Sequence, residues 1–90
     1  MYQVRWEGAA IEELTQIWTE ADSSVRQAVT DAVSTLDQEL QHNAPTVGES
    51  RSEGRRICFV PPLAAVFNVD DPNKLASVLH VWTIQRRSDH

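Results

Sequence analysis

His80 and Trp82 stand two residues apart in a run of apolar and β-branched residues, Leu75 to Ile84. On a strand that spacing puts both side chains on one face. The pair would set a proton-transfer group beside a ring able to stack a nucleobase. Its plainer meaning is a partly buried cross-strand packing pair. Arg51, Arg55 and Arg56 flank one strand-like run, and Arg86 and Arg87 end another. If those runs neighbour each other in a sheet, five guanidinium groups collect at one end, suited to bidentate phosphate or nucleic-acid contact. Held apart, they are solvated strand ends that offset acidic helices.

Other chemistries have no residues to carry them. The chain has no phosphate loop, GxSxG, HExxH or paired-cysteine motif. His42, His80 and His90 fall in three segments without ligand spacing, so neither a metal nor another cofactor is expected. The single cysteine, Cys58, cannot form an internal disulfide and reads as a small hydrophobe. Met1 to Trp6 enter a strand pattern directly rather than an export-signal core, so a reducing cytoplasm is the expected location. No run approaches the ~20 apolar residues that span a bilayer, and no membrane contact is expected.

The elements that must position these residues follow from apolar periodicity. Val4 and Trp6 alternate with polar neighbours, a short strand over 2–6. Ala10, Ile11, Leu14, Ile17, Trp18 and Ala21 recur at three- and four-residue steps, which predicts a helix over 9–21. Ser24 and Gln27 fit a capping box. Val25, Ala28, Val29, Ala32, Val33, Leu36 and Leu40 then predict a second helix over 24–42. Thr46 to Gly54 read as a loop or poorly paired edge, and strands are expected at 55–60, 63–69 and 75–84. Asp70-Asp71-Pro72-Asn73 is a turn between the last two. Residues 1–90 are expected to form one domain, a size that buries one modest core.

A strict period of two sorts the strand residues into faces. Ile57, Phe59, Leu63, Ala65, Phe67, Val69, Leu75, Leu79 and Val81 form an apolar set expected to meet the helices. Arg56, Cys58, Ala64, Val66, Asn68, Val78, His80, Trp82 and Ile84 form the other face. That face is less polar than an open sheet face should be, which marks Asn68 and Trp82 as a partner-binding surface. Trp18, Leu36, Phe67 and Leu79 are expected to be buried together.

Net charge is −5 over 90 residues. It is uneven: residues 1–45 set two arginines against eight acids, a net −6, while residues 46–90 set six basic residues against five acids, a net +1. This excludes a wholly basic nucleic-acid binder but leaves room for a local arginine-bearing face.

The β-α-α-β-β-β order, an α+β fold with a helical hairpin on a twisted, mainly antiparallel sheet, resembles the RelE/ParE superfamily of type II toxin–antitoxin toxins. The resemblance rests on Tyr2-Gln3-Val4-Arg5-Trp6, on Ala10 and Leu14 opening the first helix, and on Gly54-Arg55-Arg56-Ile57. Val66-Phe67-Asn68-Val69-Asp70-Asp71 is similar to the family's V-Y-x-V-D-D hairpin, and Val78-Leu79-His80-Val81-Trp82 to its last strand. It covers nearly the whole chain, as a divergent member. The resemblance implies a cognate antitoxin as partner and a role of the plasmid-stabilisation kind. Its ribosome-dependent branch implies mRNA cleavage, with Arg56 and His90 carried over as catalytic positions beside His80. Its other branch implies DNA gyrase as target.

Cys58, Ala64 and Ile84 stand where the family commonly has basic residues. The leading expectation is therefore a toxin-like component held by an antitoxin but lacking the full mRNA-cleavage set. An active ribosome-dependent endoribonuclease and a small non-toxic binding or structural domain are the two alternatives.

Overall fold

The computed structural model describes residues 1–84. Strand β1 (Gln3–Trp6) leads into helix α1 (Gly8–Glu20) and then helix α2 (Ser23–Asn43). A 3-10 turn at Ala44–Thr46 precedes a two-residue strand β2 (Glu49–Ser50). Strands β3 (Arg55–Val60), β4 (Leu63–Asp70) and β5 (Leu75–Thr83) follow. The sheet order is β1-β5-β4-β3-β2, with β1 parallel to β5 and the other pairs antiparallel. Helix limits lie within one residue of expectation, and the loop before β3 contributes the weak edge strand.

Asp22, not Ser24, caps α2. Its carboxylate accepts the Val25 N–H at 3.0 Å. Asp22 is the last extended residue before the helix, so Ser24 already lies inside the first turn. Val29, Ala32, Leu36 and Leu40 then form the buried stripe of α2. Leu36 and Leu40 meet Phe67, Ala65, Ala76 and Val78 in one core cluster, while Val29 and Ala32 meet Leu63 and Val81 in a second. The Trp6 indole donates to Asp37 at 3.0 Å, tying β1 to α2.

Trp18 is not part of this core; it is 41% exposed. Helix α1 continues past the end of β1 and packs chiefly on β5, so only a narrow stripe of it is covered. Ala10 is fully buried, Leu14 and Ile17 are half-buried, and Ile11 and Trp18 are left outside. The Arg26 guanidinium sits 5.4 Å from the Trp18 ring centroid, and its Nε donates to the Trp18 carbonyl at 3.0 Å. Those contacts close the helical hairpin from its outer side.

The register also corrects the face assignment. In β3 it is Arg56, Cys58 and Val60 that share a side with Phe67, Ala65 and Leu63; Arg55, Ile57 and Phe59 lie on the open side. In β5 a bulge opposite Val66/Phe67 shifts the phase by one residue. Val78 is consequently buried and Leu79 only half-buried, the reverse of expectation. No helix among the described residues is long and apolar enough to cross a membrane.

Candidate functional site

Cross-strand register arranges the open face in three rows. Arg55, Asn68, Ser77 and Arg5 are successive partners in the first. Ile57, Val66 and His80 form the second, with Glu49 at its β2 end. Phe59, Ala64 and Trp82 form the third. One row is therefore polar and cationic, the middle carries the imidazole, and the last is aromatic. Phe59 is 55% exposed and Trp82 is 39% exposed.

Arg56 lies on the other side of the sheet. Its Nε donates to the Val47 carbonyl at 2.8 Å and its second nitrogen to the Gly48 carbonyl at 3.0 Å. The guanidinium thus pins the segment between α2 and β2. Gly48 in that loop has φ of +69°, and a Cβ there would sit 2.0 Å from the Ile57 carbonyl oxygen, so only glycine fits. Arg51 is exposed, pairs with Glu49 at 3.2 Å and donates its backbone N–H to the Arg55 carbonyl. Arg55 is exposed and makes no ion pair among the described residues. Arg86, Arg87 and His90 lie outside the described residues.

Asn68 and Trp82 are on the open face as expected, two rows apart. Cys58 is buried, and that burial pushes its thiol up to about 11. Such a thiol is a packing group rather than a nucleophile. Among the described residues no three His, Cys, Asp or Glu side chains are placed to hold a metal ion.

The structure adds Glu13, a residue outside the apolar stripe of α1. One carboxylate oxygen accepts the Val81 N–H at 3.0 Å, and the other lies 3.1 Å from His80 Nδ1. Because β1 stops at Trp6, β5 beyond Val78 has no strand on that side, and Glu13 fills the vacancy at Val81. The Val81 N–H first, then His80, hold the Glu13 carboxyl below its ordinary value against partial desolvation. No local pattern marks a contact between residues 67 apart.

A second unanticipated feature is an open groove of about 330 Å³ between the helices. Leu14, Thr15 and Trp18 of α1 line one wall, and Val29, Thr30 and Val33 of α2 the other.

No family model matches the sequence, and no curated protein does. Solved structures do match. The chain is similar to the chromosomal ParDE toxin–antitoxin system of P. aeruginosa, with a TM-score of 0.76 at 23% identity, covering 94% of this chain and 98% of that one. It is also similar to the toxin–antitoxin complex RelBE2 of Mycobacterium tuberculosis, with a TM-score of 0.73 at 19% identity over 92% and 91% of the two chains. The intact E. coli RelBE toxin–antitoxin complex gives 0.62 at 19% identity over 96% and 100%. The expected architecture is borne out: the chain has a RelE/ParE-like α+β fold.

Proposed function

We propose that this chain, carrying the RelE/ParE toxin fold, is the toxin-like component of a type II toxin–antitoxin module and is held by a cognate antitoxin. The observation that carries the reading is the uncovered apolar groove of Leu14, Trp18, Val29 and Val33 on a fold whose matched structures include toxin–antitoxin complexes. A partner helix laid along such a groove would bury what this chain leaves in water. The exposed Phe59–Trp82 row gives a second apolar area on the opposite layer.

The reading includes a reduced nuclease set. Arg56 is engaged with the carbonyls of Val47 and Gly48, and Cys58 and Ala64 are uncharged. Arg5 and Arg55 remain on the open face, Arg5 in an exposed ion pair with Glu7 at 3.0 Å and Arg55 without one among the described residues. A cytoplasmic location and a target among mRNA on the ribosome or DNA gyrase belong to the same proposal. One observation favours the endoribonuclease alternative: Glu13 holds His80 on the open face, between cationic and aromatic rows.

The test is induced expression in a bacterial host, alone and with the product of the adjacent gene. Growth arrest relieved by co-expression, with a complex that co-purifies and is weakened by Leu14→Asp, is the expected result. Normal growth together with no co-purifying partner would sink it.

A further inference from the structure

The carboxylate of Glu13 meets two groups from β5, and the two contacts do different things. The bond from the Val81 N–H caps an otherwise unpaired edge amide, a structural task that any acceptor could perform. The contact to His80 Nδ1 at 3.1 Å is specific to an imidazole. A carboxylate has no proton to give, so a neutral ring can make this bond only by donating from Nδ1. Nε2 then carries the lone pair, and it has no partner among the described residues.

We propose that Glu13 is a positioning residue for His80: it fixes the neutral ring as the Nδ1–H tautomer and leaves Nε2 as an unprotonated acceptor on the open sheet face. The His80 side chain is 54% exposed, so that atom is reachable. Its surroundings on that face define the ligand chemistry. The row of Arg5, Ser77, Asn68 and Arg55 lies about 7 Å along the strands in one direction, and the row of Phe59 and Trp82 about 7 Å in the other. A hydroxyl donor flanked by a phosphodiester and a stackable base satisfies all three rows. This deepens the endoribonuclease alternative and rests on it for the ligand, whereas the tautomer claim stands on the Glu13–His80 geometry alone.

Glu13→Gln separates the two contacts. The glutamine carbonyl still accepts from Val81, so the β5 edge stays capped. Its amide then offers an N–H to His80, which must accept at Nδ1 and carry its proton on Nε2. Long-range proton–nitrogen NMR of the imidazole, at a pH where the ring is neutral, reads the ratio directly. The Nδ1–H form should predominate in the parent, and the ratio should invert in Glu13→Gln while the Val81 amide stays protected from exchange. A predominant Nε2–H form in the parent, or an unchanged ratio in the variant, overturns the proposal. If the variant does not fold, the parent ratio decides alone. No RNA enters the measurement, so absence of cleavage in a separate assay would sink the endoribonuclease alternative without touching this result.

Discussion

Arg55 and Arg56, neighbours in the chain, serve opposite faces of the sheet. Arg55 stands beside Asn68 on the open face, while Arg56 reaches under β3 to the carbonyls of Val47 and Gly48 at 2.8 and 3.0 Å. The two should therefore fail differently. Arg56→Ala removes two charge-assisted bonds that hold a loop, and bonds of that kind contribute about 1.5–3 kcal/mol each when well shielded. Because this guanidinium is only half-buried, a total loss of about 1–2 kcal/mol is expected. Arg55→Ala should stay within about ±0.5 kcal/mol, as surface changes usually do. Urea unfolding of both variants checks this, and equal losses would contradict the assigned faces.

Leu36 and Trp18 make a second contrast. Both are large apolar residues on the predicted inner stripes, but Leu36 is fully buried in the core cluster that contains Phe67, and Trp18 is not. Leu36→Ala should cost about 2–5 kcal/mol, the range for truncations that leave a core cavity. That is a large share of the stability of a domain this size. Trp18→Ala should cost less than half as much, limited to its cation–π and groove contacts. A urea midpoint that moves more for Trp18→Ala than for Leu36→Ala would contradict the packing.

What could be read from the residues depended on whether the signal was local. The stripe of Val29, Ala32, Leu36 and Leu40 repeats at helical spacing and needs no partner to be recognised. The inner face of β3 is not legible in this way: a period of two separates Ile57 and Phe59 from Arg56 and Cys58 but does not say which set the helices cover, and the larger hydrophobes lie on the open side. The helices give β3 little cover; an arginine tied to a loop and a small cysteine are enough for that side. The bulge that buries Val78 instead of Leu79 leaves no mark in the sequence, since it lies in how two strands are paired. The site divides in the same way. Asn68, His80 and Trp82 could be placed on one face by a period of two, whereas Glu13 meets β5 only because β1 is short.

Acid should weaken the fold through a defined set of carboxylates. Glu13 is lowered from 4.5 by the Val81 N–H and then by His80, and Asp22 is lowered from 3.8 by the Val25 N–H and Ser24. Asp71 is lowered from 3.8 by the Tyr2 hydroxyl and by Lys74. In each case the folded chain binds its proton less readily than the unfolded chain. The contribution is whole above the unfolded values and is lost as pH falls through the lower folded ones. The urea midpoint should therefore decline as pH drops below about 4. Asp22→Asn, which keeps a cap acceptor but cannot titrate, should show a shallower decline. An identical slope in that variant would remove Asp22 from the set.

Cleavage of mRNA on ribosomes is expected to be weak or undetectable. The reaction needs a group to take the 2′-hydroxyl proton, a group to protonate the leaving oxygen, and cations for the charge that develops on phosphorus. His80 is placed for one proton-transfer role. Arginine is a poor base because its pKa exceeds about 12. The single lysine, Lys74, stands in the β4–β5 turn, paired with Asp71 at 3.4 Å. Arg56 faces away, Cys58 and Ala64 are uncharged, and each missing preorganised charge contact typically costs about 10²–10³ in rate. Primer extension on ribosome-bound mRNA incubated with the purified protein measures this. Strong, codon-positioned cleavage that His80→Ala abolishes would show that the reaction runs through His80 without a cation at positions 58 and 64. It would also replace the antitoxin-held, nuclease-poor reading with that of an active endoribonuclease.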